Sequence, residues 1–121
     1  MRRRSQSSAG AIYLDKARRI EELRQAAERA HSRWPSIQRM ILFGSLVAGT
    51  PTPRSDADIL IVVETSEHAR AADRVPELLR ALSPLPCPVD LFVVTTEELG
   101  QARHDRDPLT REALENGVDL L

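Results

Sequence analysis

Apolar residues recur every three or four positions near the start of the chain, with charged residues between them. Ile20 and Leu23 belong to this pattern, which places the apolar residues on one face of a helix over 13–33. Trp34 and Pro35 follow. Because the residue before a proline avoids the helical region, the helix is predicted to end there.

Three apolar runs have the length of a strand, and we predict strands over 37–43, 57–63 and 89–95. The second run, ADILIVV, is almost continuously apolar, which is typical of a strand buried on both faces. The rest of the pattern predicts helices over 66–82, 97–104 and 108–116, a C-cap at Gly117 and a small edge strand over 118–121. Pro76 either kinks the first of these helices or begins a second one.

The order of these elements predicts an α/β (α+β) fold with a small mixed β-sheet flanked by helices. A loop with at most a short helical turn joins the first two strands, so they can pair as antiparallel neighbours. A helical crossover joins the second and third strands, which makes them parallel.

The chain has 121 residues, a net charge of −1 and a single cysteine. This length predicts one domain, over 12–121, after a polar, arginine-rich segment 1–11 that we expect to be a disordered arm. The single cysteine excludes an internal disulfide and is compatible with a cytoplasmic setting. The near-neutral charge gives no strong case for nucleic acid as a direct partner, and no apolar run is long enough to predict a membrane span.

The strand directions bring the polar residues of interest together. The end of the first strand lies beside the start of the second, which lies beside the start of the third. Gly44, Ser45, Asp56, Asp58 and Asp90 are therefore all predicted at one edge of the sheet.

Asp56 and Asp58 are two residues apart and would point to the same face of a strand, with about 7 Å between their α-carbons. Neighbouring carboxylates repel each other unless a cation lies between them. Ligands that are all oxygen favour Mg²⁺ or Mn²⁺ over zinc. With Asp90 as a third acid, the set suits a two-metal phosphoryl or nucleotidyl transfer site.

The residues around the loop are candidates for binding phosphate. Gly44 allows a ligand to approach the backbone closely, and Ser45 can donate a hydroxyl hydrogen bond. A short helical turn after them would point amide groups towards an anion. Arg54 and Ser55, just before the acids, could add polar contacts.

Each feature alone also has a simpler explanation. A Gly-Ser pair is usually only a turn, an Asp-x-Asp at a strand start is usually a solvated or capping segment, and Asp90 could cap a turn. The prediction therefore rests on the combination of these residues at one edge.

The segment LFGSLVAGTPTPRSDADILIVVE resembles the nucleotidyltransferase signature, a Gly-Ser pair followed about ten residues later by Asp-x-Asp in a strand. Asp90, in PVDLFVV, would be the third acid of that superfamily. The closing segment REALENGVDLL is similar to the end of the minimal nucleotidyltransferases, the MNT type. The resemblance covers residues 37–121.

This resemblance implies a DNA polymerase β-like nucleotidyltransferase fold. Asp56 and Asp58 would bind both of two Mg²⁺ (or Mn²⁺) ions, and Asp90 would bind one ion and help to activate the acceptor hydroxyl. Gly44 and Ser45 would contact the triphosphate. The reaction would be in-line attack on the α-phosphorus of a nucleoside triphosphate, with release of pyrophosphate.

Short members of this family often work beside a helical HEPN-type toxin, as the antitoxin of the pair, and can transfer AMP from ATP to a hydroxyl of that partner. Many members have a basic residue three positions after the serine, where this chain has Ala48. Two alternatives therefore stay open: an antitoxin that neutralises the helical partner by covering it, without catalysis, and an antibiotic-modifying enzyme that needs another subunit. The sequence also leaves homo-oligomers and hetero-oligomers open.

Overall fold

The computed structural model describes the backbone of residues 4–48 and 57–121, with side chains described for 15–47 and 57–121. Within these ranges the helices and strands follow the predicted order. The helices are α1 (Arg4–Arg33), α2 (Ser45–Ala48), a 3-10 helix (Ala71–Arg74), α3 (Val75–Leu82), α4 (Thr96–His104) and α5 (Pro108–Asn116). The strands are β1 (Ile37–Phe43), β2 (Ala57–Val63), β3 (Val89–Thr95) and β4 (Val118–Asp119).

The four strands form one mixed sheet in the order β3-β2-β1-β4. β1 pairs with β2 antiparallel, and β2 pairs with β3 parallel, as the connections predicted. The short β4 adds to β1 in the antiparallel sense, which confirms a small edge strand at the end of the chain. The predicted α/β class with a small mixed sheet is confirmed.

The sheet is covered on both faces, which explains why β1 and β2 are apolar along most of their length. On one face, Leu23, Ala27 and Ala30 of α1 pack with Ile59 and other strand residues in the larger core cluster, and α3 joins them. On the opposite face, residues of α4 and α5 pack over a smaller apolar cluster. For α1, this burial means that the apolar stripe is a core-packing face.

α1 begins at Arg4, earlier than the predicted start at 13. Helix propagation adds one hydrogen bond for each residue fixed, so a long helix can extend into a polar segment. Its first turns run through the segment whose composition predicted an arm, and the division of the chain into an arm and a domain stays a prediction.

The helix predicted over 66–82 is wrong in its first part. Only the 3-10 helix and α3 form, and Pro76 lies in the first turn of α3, which is the second of the two alternatives for this proline. The reason lies in Arg74, whose guanidinium donates to the carbonyl groups of His68 and Ala69 and so holds the preceding segment in an irregular conformation.

Gly117 is the C-cap of α5, as predicted, but its conformation differs from the left-handed one that often favours glycine there. Its φ and ψ are −80° and 170°, which is extended backbone. A Cβ at this position would overlap the Ala113 carbonyl and the Ile41 side chain. Close packing of α5 on β1 therefore explains this glycine.

In the part of the chain that the structure describes, none of the helices combines the length and the apolar character needed to cross a bilayer.

Candidate active site

The strand register brings Asp58 and Asp90 side by side. Asp58 of β2 pairs with Asp90 of β3 and, on its other side, with Phe43 of β1. Paired residues on adjacent strands point to the same face, and adjacent strands lie about 4.8 Å apart. The two carboxylates therefore share one face at the edge where β2 and β3 begin, with Asp58 half-buried and Asp90 exposed.

Gly44, the residue after β1, lies directly against one of these carboxylates. Its φ is 91°, in the left-handed region that side chains rarely adopt. A Cβ built on Gly44 would overlap the Oδ2 atom of Asp58. The position therefore requires glycine for two reasons: the direction of the chain, and the space taken by the Asp58 carboxylate.

The turn leads straight into a short helix, as the sequence predicted. Ser45 is the first residue of α2 and is exposed, and the amide of Val47 donates to the Gly44 carbonyl over 3.1 Å. From α1, the ammonium group of Lys16 donates to the Val47 carbonyl over 3.2 Å. The N-terminal helix thus holds the turn that carries Gly44 and Ser45.

An aromatic pair lies next to the two acids. The rings of Phe43 and Phe92 have centroids 5.9 Å apart and are tilted by 47°. Phe43 is the cross-strand neighbour of Asp58, and Phe92 is two residues along β3 from Asp90, on the same face. Charges beside such an apolar floor interact more strongly than charges in open water.

Comparison with known proteins agrees with this geometry. The family model of the nucleotidyltransferase domain matches residues 23–120. The chain belongs to this family. No curated protein matches the chain. Among solved structures, the chain is similar to a protein from Sulfolobus solfataricus whose own assignment as a nucleotidyltransferase is an inference, with 22% identity and a TM-score of 0.63. That match covers 89% of this chain and 84% of the other.

These findings confirm the predicted superfamily and its fold. They support nucleotidyl transfer as the general activity of this nucleotidyltransferase domain, and they leave the MNT-type antitoxin role as a prediction.

Three of the predicted site residues, Arg54, Ser55 and Asp56, lie outside the described residues. Their roles stay predictions, as does that of Asp56 as a metal ligand. Among the residues that the structure does describe, no group of three or more histidine, cysteine or acidic side chains comes together to hold a metal ion. The described part of the nucleotidyltransferase site thus contributes two acids, Asp58 and Asp90.

The chemistry of these two residues fits a divalent ion. Both donors are carboxylates, which Mg²⁺ and Mn²⁺ prefer, and the register holds them on the same face of neighbouring strands. Because Gly44 has no Cβ, it presents only its backbone to the Asp58 carboxylate. A triphosphate that reaches such an ion could therefore approach the Gly44 backbone closely.

Sequence reasoning missed one buried polar cluster, at the end of β3 that is far from these acids. The Arg74 side chain is only 5% exposed and forms an ion pair with Glu98, with Nη1 to Oε1 at 2.6 Å and Nη2 to Oε2 at 3.0 Å. Nη1 also donates to the Val93 carbonyl over 3.0 Å. The five N–H groups of this arginine therefore all have partners, including the two carbonyls of the preceding segment.

The ion pair fixes the charge of both residues. The hydrogen bond from Arg74 holds the pKa of Glu98 at about 2, against an ordinary value of 4.5, and the Thr95 amide adds to this effect. In turn, the hydrogen bond to Glu98 raises the pKa of Arg74. Glu98 also completes a capping box with Thr95 at the start of α4. A Thr-x-x-Glu pattern in the sequence is the signal that could have located it.

Proposed function

We propose that this domain transfers a nucleoside monophosphate, AMP from ATP, to a hydroxyl group of a partner protein, and that the reaction depends on Mg²⁺ or Mn²⁺. The observation that carries the proposal is the in-register pair of Asp58 and Asp90 on one face of the sheet, with Gly44 against the first of them. Membership of a transferase family supports the same chemistry.

Asp56, Asp58 and Asp90 are the residues that would hold two divalent ions, with Asp56 and Asp58 shared between both. Bound there, the ions would neutralise the triphosphate and stabilise the negative charge that develops around the α-phosphorus. Gly44 and Ser45 would bind the triphosphate through their backbone and hydroxyl groups, and Arg54 and Ser55 would add contacts from the loop before β2.

In the proposed step, the acceptor oxygen forms a bond to the α-phosphorus while the bond from that phosphorus to the bridging oxygen of the β-phosphate breaks. Pyrophosphate leaves with the electron pair of the broken bond. Asp90 takes the hydroxyl proton, which then passes to solvent. Asp90 suits this role because it is the more exposed of the two described acids.

The test uses ATP labelled at either the α- or the γ-phosphate, with Mg²⁺ and a helical HEPN-type protein as the candidate partner. We expect label from the α-position, and none from the γ-position, to become attached to the partner. In Asp58→Asn the transfer rate should fall by at least about 100-fold, since a group that stabilises transition-state charge is lost. Asp73→Asn, which changes an exposed acid on the 3-10 helix, is the matched control. Transfer of the γ-label, or equal rates in both variants, would contradict the proposal.

The biological role that we propose is that of the antitoxin of a HEPN/MNT toxin–antitoxin pair, with the helical toxin as the modified partner. Occlusion of the partner without catalysis is the alternative. An exposed apolar face on α1 would suit such occlusion, but Leu23, Ala26, Ala27 and Ala30 of that helix are fully buried against the sheet. Over the part of α1 whose side chains are described, the apolar face therefore packs in the core, which favours the catalytic role.

A neutralisation experiment in cells separates these two roles. We expect the double variant Asp58→Asn, Asp90→Asn to accumulate normally and to leave the toxin active. If the double variant protects cells as well as the original chain does, neutralisation occurs by binding, and the catalytic antitoxin role is wrong.

A further inference from the structure

β3 is the outer strand of the sheet on the side of Asp90, so one edge of its backbone faces away from β2. The Ala57 amide of β2 donates to the Pro88 carbonyl. In a parallel pair of strands, this bond fixes which residues face the neighbouring strand. The amide and carbonyl groups of residues 88, 90, 92 and 94 point towards β2. The backbone groups of Val89, Leu91, Val93 and Thr95 therefore point outward.

Two groups of this outward edge, both in the second half of β3, are already paired by side chains. Arg74 donates to the Val93 carbonyl, and the Thr95 amide donates to Glu98 over 3.0 Å. Both contacts involve residues whose backbone groups point outward, as the hydrogen-bond pattern between β2 and β3 predicts. Among the described residues, none bonds to the outward amide and carbonyl of Leu91 or to the amide of Val93. In the part of the chain that the structure describes, the unpaired outward groups therefore lie on the side of Asp90.

A groove of about 790 Å³ runs along this edge. The side chains of Leu60, Phe92 and Val94 form its apolar floor, and they lie on the same face of the sheet as Asp58 and Asp90. Ala72 lines the groove from the 3-10 helix, and Leu109 from α5. Since Phe92 is two residues beyond Asp90, the groove begins about 7 Å along the strand from this acid.

The charged side chains that line the groove are acidic, and one of them, Glu98, is already paired with Arg74. Glu98 and Asp107 line it, and Asp105 lines an adjoining cavity together with them. Within the described part of the chain, neither cavity is lined by lysine, arginine or histidine. Hydrogen bonds from the Thr110 amide and hydroxyl lower the pKa of Asp107, so both acids of the groove stay ionised at neutral pH. A basic segment would complement the charges of Asp105 and Asp107.

We propose that the acceptor polypeptide docks here as an added β-strand: an extended segment that carries basic and apolar residues pairs with the open edge at Leu91 and places a hydroxyl side chain beside Asp90. The backbone of an extended segment has amide and carbonyl groups at the spacing that matches those of a strand edge. This inference rests on the proposed function, because it assigns the acceptor of the same site.

The probe is a synthetic nonapeptide of alternating valine and lysine with a central serine, labelled for fluorescence anisotropy. The same peptide with glutamate in place of lysine is the charge control. Two further peptides carry N-methyl groups on alternate amides, in the two complementary sets. An added strand turns one set of amides towards β3 and the other set away.

We expect the lysine peptide to bind at least about tenfold more tightly than the glutamate peptide, and one N-methylated set to lose binding while the other keeps it. Equal binding of the two N-methylated sets, or equal loss, would overturn strand addition. Tighter binding of the glutamate peptide would overturn the charge assignment.

Variants of the whole protein provide a second test of the docking surface. Ala72→Arg puts a cation in the groove, whereas Ala69→Arg changes a nearby exposed alanine outside it. We expect the first variant alone to weaken binding of the lysine peptide. If Ala72→Arg labels the partner protein as fast as the original chain does, the docking inference fails and the proposed function stands. If the peptide binds with the N-methyl asymmetry but no α-label reaches peptide or partner, the docking surface stands and the proposed function fails.

Discussion

At the scale of single residues, Gly44 and Asp58 show how backbone conformation positions a functional group. A left-handed φ at Gly44 turns the chain out of β1, and the missing Cβ leaves the space that the Asp58 carboxylate occupies. The same glycine therefore determines both the turn and the place of an acid in the site.

Gly44→Ala should lower both stability and activity. The left-handed conformation costs an alanine about 1–2 kcal/mol, and the new methyl group must displace the Asp58 carboxylate. Thermal unfolding and the rate of α-label transfer are the two measurements. Gly100→Ala in α4 is the matched control, because a Cβ there meets no atom within 4 Å. It should raise the free energy of unfolding by about 0.5–1 kcal/mol. Unchanged activity in Gly44→Ala would show that the turn does not position Asp58.

At the scale of the elements, the ion pair of Arg74 and Glu98 joins the 3-10 helix, the edge of β3 and the start of α4. Glu98→Gln should lower the free energy of unfolding by about 1.5–3 kcal/mol, because hydrogen bonds to a charged, nearly buried arginine are weakened. Glu97→Gln, on the exposed side of the same turn, should leave the free energy of unfolding nearly unchanged. Chemical denaturation measures both, and equal stability of the two variants would show that the pair adds little.

The pH dependence of this pair has a definite sign. The pKa of Glu98 falls from 4.5 to about 2 on folding, so its stabilisation is complete above about pH 4.5 and is lost as pH falls towards 2. Since the Glu98 side chain is 44% exposed, solvent screens part of the effect. The stability difference between the original chain and Glu98→Gln should shrink over this pH window. A difference that stays constant down to pH 2 would contradict the assignment.

The elements also show what the sequence could predict. Continuous apolar runs identified β2 and β3, and the crossover between them fixed the parallel pairing that aligns Asp58 with Asp90. The irregular segment before the 3-10 helix could not be predicted, because its helical periodicity is overridden by hydrogen bonds from one buried arginine side chain. In a sequence, a single arginine gives no signal that distinguishes a buried, hydrogen-bonded side chain from a charged side chain on the surface.

At the scale of the whole molecule, a contact between the N-terminal helix and the site turn links distant parts of the chain. Lys16 of α1 donates to the Val47 carbonyl in α2, two residues after Ser45. Lys16→Met should raise the KM for ATP between about twofold and tenfold, because α2 loses a support worth about 0.5–1.5 kcal/mol. Arg18→Met, an exposed change on the same helix, is the control. Equal KM values would show that α1 supports only the core.

The central claim is that Asp58 and Asp90 together hold divalent ions for a nucleoside triphosphate. Electron paramagnetic resonance of free Mn²⁺, titrated with a non-hydrolysable ATP analogue present, measures this most directly. We predict two bound ions for the original chain and a loss of binding in both Asp58→Asn and Asp90→Asn, with Asp73→Asn unchanged. If both site variants bound Mn²⁺ as the original chain does, the carboxylate pair would not be the metal site.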